Sequence, residues 1–184
     1  MAEFTPIFCS RIFLAPLALK DAEALFCYRT HPLVEQFQSL RFRDLRDAEA
    51  FIAELPKDFG ERGTWFQLGI FKIDTGELIG DLGIHFLETG EEAEMGYTIS
   101  PSSQRQGFAW EAVCAMVDYL FLHQGLQSLV ASTDPQNVRS RKLLQKLGFR
   151  PMEEVLLEDE AVEEIVYRLR RSEWRGHSAK SDAN

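Results

Sequence analysis

The chain is poor in the groups that build disulfide, metal and nucleic-acid sites. Its three cysteines, Cys9, Cys27 and Cys114, are odd in number and far apart, so they supply neither a disulfide framework nor metal-ligand spacing. Cys114 falls inside an apolar segment, where it reads as a small buried hydrophobe. The four histidines are equally dispersed, and no metal site is expected. Basic residues are outnumbered 20 to 29, giving a formal net charge of −9. Phosphate contacts need clustered Lys and Arg, so nucleic acid is not an expected partner. No apolar run approaches the roughly 20 residues of a membrane span, and no membrane association is expected. The first residues lack a basic segment followed by an apolar one, so a cytoplasmic protein without a signal peptide is expected. There is no glycine triplet of the dinucleotide-binding kind and no Lys-Ser/Thr phosphate loop. Internal repeats, low-complexity tracts and interdomain linkers are also missing.

What is present is the composition of an ordinary globular protein, 45% hydrophobic and 27% charged. The 184 residues suit one domain, with a core over about residues 8–175 and a frayed polar tail over 176–184. Residues 1–8 read as a loosely held start. A first strand is expected over 10–15, ended by Pro16, which cannot donate to a ladder. A helix over 20–30 carries Ala24, Leu25 and Tyr28 at helical spacing, and His31-Pro32 interrupts it before a short turn through Val34 and Phe37. Asp44 is the expected N-cap of a second helix, with Leu45, Ala48, Phe51, Ile52 and Leu55 on one face and a stop at Pro56. Residues 65–73 and 78–86 flank Asp74-Thr75-Gly76-Glu77 as a hairpin, and 93–99 completes an antiparallel meander.

The meander leads into Gln104-Arg105-Gln106-Gly107-Phe108-Ala109 and a helix from Ala109 to about His123, ended by Gly125. A short loop entering a helix leaves several backbone N–H groups unpaired and pointing one way, with the positive end of the helix dipole behind them. That arrangement cradles phosphate. Gly107 lets the backbone turn tightly and approach a ligand closely, and Arg105 adds a positive charge at the rim. A strand over 127–132 follows, and the helical crossover makes it parallel to 93–99. After Thr133-Asp134-Pro135-Gln136-Asn137 comes a helix with Ser140, Leu143, Leu144 and Leu147 on one face. It closes at Lys146-Leu147-Gly148-Phe149, with Gly148 where a left-handed cap belongs. Residues 151–157 and 163–170 read as a last hairpin around Glu158-Asp159-Glu160.

Loop 104–109 resembles the Arg/Gln-x-x-Gly-x-Gly/Ala acyl-CoA loop of the GCN5-related N-acetyltransferases (GNAT). Asn137-Val138-Arg139-Ser140, ending in Lys146-Leu147-Gly148-Phe149, looks like the Asn-x-x-Ser/Ala…Lys-x-Gly-Phe signature of the same family. The strand Glu94-Met95-Gly96-Tyr97 and the closing Glu173-Trp174 resemble its ribosomal-protein N-acetyltransferase (RimJ/RimL-type) branch, as does the opening Arg11-Ile12-Phe13-Leu14 with Asp21-Ala22. The resemblance covers about residues 8–175. It implies an α/β (α+β) fold whose mixed, mostly antiparallel central sheet has one parallel splayed strand pair and flanking helices. It also implies acetyl-CoA as co-substrate, a protein N-terminus or small amine as acceptor, direct attack on the thioester, and a homodimer.

By the same resemblance, acetyl-CoA would be held by Ile99, Ser100, Gln104, Arg105, Gln106, Gly107, Phe108, Ala109, Asn137 and Ser140. The pyrophosphate would rest on the amides of 105–109, and an N–H near Ile99 or Ser100 would serve as oxyanion donor. Glu94 is the expected general base, with His85 as the other candidate, unless a neutral amine attacks directly and water removes the proton. Many relatives place a tyrosine seven residues after the asparagine to protonate the leaving thiolate, and here that position is Leu144. Ser140, or a water held by Asn137 and Ser140, is the expected replacement. The first two helices would wall the acceptor site, making Phe37, Phe42, Trp65 and Phe66 either substrate-contacting aromatics or plain core. Glu88, Glu91, Glu92 and Glu94 would draw a cationic acceptor if they face the cleft. A non-catalytic acyl-CoA sensor or scaffold of the same fold is the competing reading, and Leu144 is its support.

Overall fold

Residues 4–152 and 164–176 are described in a computed structural model. Its strands are β1 (Ile7–Phe8), β2 (Ile12–Pro16), β3 (Trp65–Lys72), β4 (Leu78–Phe86), β5 (Glu92–Ile99), β6 (Ser128–Thr133), β7 (Arg150–Pro151) and β8 (Ile165–Arg170). They form one sheet in the order β1-β2-β3-β4-β5-β6-β8-β7. The pair β5–β6 is parallel, and every other neighbouring pair is antiparallel. A helical crossover between β5 and β6 requires that one exception. The helices are α1 (Ala22–Arg29), α2 (Pro32–Glu35), α3 (Leu45–Glu54), α4 (Phe108–His123) and α5 (Val138–Leu147).

Side chains alternate between the two faces of each strand, and each face has its own helices. On the first face Leu82, Ile84, Met95 and Leu129 pack with Ala112, Met116 and Val117 of α4 and with Leu144 and Leu147 of α5. On the second face α1 and α3 bury Leu25, Tyr28, Ala48 and Ile52 with Phe71 and Leu78. The caps follow local chemistry. Asp44 accepts from the N–H groups of Arg46 and Asp47 at 2.9 and 3.2 Å, starting α3. Gly148, at φ 96°, ends α5 by donating to Leu144 and Gln145 carbonyls. The left-handed turn at Gly148 suits glycine because it has no Cβ to clash.

Two expectations need correction. The start is not loose from Phe4 onward, because Phe4 is buried against Phe59, Phe66 and Tyr119 with ring centroids 4.8–5.8 Å apart. Phe8 and Ile7 also pair with Phe13 and Leu14 of β2. Partners so distant along the chain leave no local pattern to read. The strand expected over 10–15 is β2, set slightly later, with Pro16 at its end as its missing donor requires. β7 and β8 do pair antiparallel. Of the expected last hairpin, residues 153–157 and the turn around Glu158-Asp159-Glu160 lie outside the described residues, as does all but Gly176 of the tail expected over 176–184.

Candidate active site

Between β5 and α4 the chain makes one turn of 3-10 helix (Pro101–Ser103) and then takes left-handed conformations at Arg105 (φ 62°) and Gly107 (φ 84°). Left-handed residues flanking Gln106 swing neighbouring amides onto one concave side, a nest for an anion. Arg105 is the one non-glycine residue with positive φ among those described. Holding it there costs roughly 1 kcal/mol. Gly107 is the N-cap of α4 and no side chain caps this helix, so its first-turn N–H groups open onto the same concavity.

A clamp that the sequence reading missed holds this loop. The Arg11 guanidinium donates to the Gln106 carbonyl at 2.8 Å and to Glu111 Oε2 at 2.8 Å, while the Arg11 backbone N–H reaches Glu111 Oε1 at 2.7 Å. It also lies 4.5 Å from the Phe108 ring centroid. Glu111 is buried in the first turn of α4, where its charge would repel a bound phosphate. Arg11 neutralises it. The partners are 100 positions apart, and only the resemblance had drawn attention to Arg11.

Beside the nest the sheet opens. β5 and β6 pair only where Glu92–Glu94 meets Ser128–Val130. β5 then continues along β4 to Ile99, while β6 continues along β8 to Thr133. The Ser100 N–H donates to the Ile79 carbonyl at 2.8 Å, so it belongs to the β4 ladder and is not open to a ligand. Backbone groups alternate in direction along a strand, so Thr98 also faces β4 while Tyr97 and Ile99 face the gap. A cavity of about 390 Å³ fills the gap, lined by Ile99, Gln104, Arg105, Gly107, Phe108 and Ala109, and across from them by Asn137 and Ser140. Ser100, Gln106 and Glu94 do not line it. Gln106 instead offers its carbonyl to Arg11. Arg139 of α5 donates to Gln104 Oε1 at 2.7 Å, and Gln104 Nε2 donates to the Ile99 carbonyl at 3.0 Å, bracing the mouth of the gap.

Asn137 caps α5 through its Oδ1, which accepts the Ser140 N–H at 3.1 Å. The Tyr97 hydroxyl lies 3.0 Å from Ser140 Oγ, and both residues line the cavity. Burial pushes the Tyr97 phenol up to about 12, with the Ser140 hydrogen bond acting the other way. Tyr97 is therefore a neutral O–H at physiological pH. Leu144 is buried in the core on α5. A phenol reaches the first turn of α5 from β5 instead, a role the sequence reading did not assign to Tyr97.

Glu94 belongs to the second face. It stands opposite His85 in register, and Ser132 Oγ donates to its Oε1 at 3.4 Å. His85 stacks on Trp65, with centroids 5.2 Å apart and planes at 15°. Next to this pair Gly83 faces Gly96 across β4 and β5, and a Cβ added at Gly96 would meet nothing within 4 Å. Of the four aromatics proposed for the acceptor wall, Phe37 lines the cavity and Trp65 is exposed. Phe42 and Phe66 are core, 7% and 2% exposed, because Phe42 closes the α1–α3 cluster and Phe66 points to the α4 face. The glutamates do not act as one cluster either, since Glu92 pairs with Arg168 at 3.2 Å and accepts from Ser128. Burial, and then Glu111, pushes the Cys9 thiol up to about 11, which leaves no thiolate for nucleophilic chemistry there. Among the described residues no group of three or more His, Cys, Asp or Glu could hold a metal ion, and no helix is long and apolar enough to cross a membrane.

A mixed sheet parted at its one parallel pair, with an amide nest at the mouth of the parting, defines an acetyltransferase of the GNAT type. The family model described as "Acetyltransferase (GNAT) domain" matches residues 11–150, and the chain belongs to that family as an N-acetyltransferase. It is 31% identical to the "Uncharacterized N-acetyltransferase p20" of Bacillus licheniformis over 83% of this chain and 85% of that protein. It is 30% identical to the "[Ribosomal protein uS5]-alanine N-acetyltransferase" of Escherichia coli over 65% of this chain and 58% of that one. The crystal structure of a GNAT-family acetyltransferase from Bacillus anthracis has the same fold, with a TM-score of 0.77 at 22% identity over 92% of this chain and 100% of that one.

Proposed function

We propose that this chain moves the acetyl group of acetyl-CoA to a primary amine in the cytoplasm, by direct attack of the amine on the thioester. The observation that carries this reading is one continuous cavity joining the amide nest, the open edge of β5 and the Tyr97–Ser140 hydroxyl pair. In it the pyrophosphate rests on the amides of 105–109, with Arg105 supplying positive charge and the Arg11 clamp cancelling the repulsion of Glu111. The pantetheine arm lies along β5, bonding to the backbone of Tyr97 and Ile99 as a strand would. The oxyanion donor is then the N–H of Ile99 or Tyr97, since that of Ser100 is taken. Ser140, hydrogen-bonded to Tyr97, returns a proton to the leaving thiolate. The amine arrives from the second face, where Glu94 or His85 receives its proton directly or through water.

Two hydroxyls joined at the cleft favour turnover over a binding-only role. The named activity of the Escherichia coli relative makes peptides with a free N-terminal alanine the first acceptors to try. The test is thiol release from acetyl-CoA across peptides with varied N-termini, polyamines and amino acids, alongside calorimetry of acetyl-CoA binding. Gly107→Val, if folded by circular dichroism, should weaken acetyl-CoA binding at least tenfold, about 1.4 kcal/mol. Binding without thiol release from any amine would favour the sensor instead.

A further inference from the structure

Under the acceptor side of the cavity lies a polar network that the proposed chemistry does not use. Asp81 is 1% exposed at the centre of β4, and Tyr28, Arg29 and Gln67 all donate to it. Arg29 uses Nε and one terminal nitrogen on Asp81 and sends the other terminal nitrogen to Gln38 Oε1. Burial lowers the affinity of the Arg29 guanidinium for its proton, but Asp81 outweighs it and the pKa is raised. Burying a charge pair is a weak source of stability, whereas a bidentate fork is a strong source of fixed geometry.

The geometry fixes Gln38. A guanidinium has no acceptor, so the carboxamide must turn its oxygen toward Arg29 and its NH₂ group the other way. Gln38 lines the cavity together with Phe37 and Thr98, and among the described residues nothing accepts from its Nε2. Thr98 stands opposite Asp81 in register, so this end of the cavity is on the second face, from which the amine arrives. The charge behind the carboxamide oxygen also polarises its N–H groups into better donors.

We infer that Gln38 donates to an oxygen of the acceptor, with Arg29 and Asp81 as positioning residues, so that the enzyme selects amines bearing a carbonyl beside the amino carbon. This rests on the acetyltransferase reading and adds a specificity-determining residue to it. L-Alaninamide and isopropylamine test it, since they differ by a carboxamide against a methyl group. Comparing each variant with wild type cancels the different basicities of the two amines. Gln38→Leu should lower kcat/KM for alaninamide about tenfold more than for isopropylamine, the scale of one lost hydrogen bond. Gln38→Glu keeps a partner for Arg29 but has no donor, and it should show the same selective loss. Arg29→Met frees the carboxamide to rotate and should lose part of the preference. Acetyl-CoA affinity by calorimetry should stay within about twofold in the Gln38 variants.

Equal losses for both amines overturn the inference. So does weakened acetyl-CoA binding with unchanged selectivity, which would place the donor on the pantetheine arm. A wild-type enzyme that acetylates other amines but not alaninamide overturns it as well, while leaving the acetyltransferase reading intact. Acetyl-CoA binding without transfer to any amine removes both.

Discussion

Tyr97 and Arg105 each hold an unusual state that the cavity explains. The phenol of Tyr97 is held up at about 12 by burial, so its proton stays on at physiological pH. Tyr97→Phe should lower kcat by about tenfold or more while acetyl-CoA affinity changes less than about twofold, since only the transition state is affected. Loss of the Tyr97 proton should produce no alkaline fall in rate below about pH 11. The folded pKa lies above the ordinary value, so burial of this neutral phenol stabilises the fold fully below about pH 10. That contribution is lost as pH rises through about 12. Arg105 separates stability from function in another way. Arg105→Gly relieves a left-handed backbone and should raise the stability of the free protein by up to about 1 kcal/mol, yet weaken acetyl-CoA binding. Chemical denaturation and calorimetry on one preparation check both halves, and tighter binding would mean the guanidinium does not face the phosphates.

Among elements, the contact of Arg11, just before β2, with the start of α4 matters most to the nest. Arg11→Met should let the loop carbonyl of Gln106 drift and leave the Glu111 charge without its guanidinium, held only by the backbone N–H of residue 11. Acetyl-CoA affinity should fall about tenfold. Stability should fall by about 1 kcal/mol, a figure kept small because the Arg11 side chain is 49% exposed. Glu111→Gln in the same background should recover part of the affinity by removing the repulsion. No recovery would show that the clamp acts through loop shape alone. Most elements that build the cleft were legible because their signals are local: Asp44 as a cap, Gly107 and Gly148 at left-handed positions, the turn at 74–77, the crossover that makes β5 and β6 parallel. What escaped notice joins distant segments. Arg11–Glu111, Tyr97–Ser140 and Arg29–Asp81 are each separated by more than forty positions, and single positions carry no periodicity. Phe42 and Phe66 were left open between cleft and core for the same reason, since an aromatic in a loop or strand reads alike in either place, and the structure puts both in the core.

Over the whole molecule the net charge is −9, but its distribution decides what that charge does. Glu92 is neutralised by Arg168, leaving Glu94 as the carboxylate of β5 beside the Gly83–Gly96 pair. A cationic acceptor should therefore show kcat/KM falling with salt, with Glu94→Gln lowering both activity and that slope. Glu92→Gln should leave the slope in place. A slope untouched by Glu94→Gln would assign it to the general surface charge.

The parting of β5 from β6 has a further consequence. A strand edge without a neighbour is a receptor, and in the function proposed above the substrate is the missing neighbour: until it arrives, the Tyr97 and Ile99 amides should exchange their hydrogens with solvent, whereas those of Thr98 and Ser100 are already shielded by β4. Acetyl-CoA should slow deuterium uptake at 97 and 99 and leave 98 and 100 almost unchanged, an every-other-residue footprint readable by NMR. Uniform slowing along the strand would instead report tightening of the fold as a whole. On that proposal the enzyme waits as an unfinished sheet, and each catalytic cycle completes it and takes it apart again.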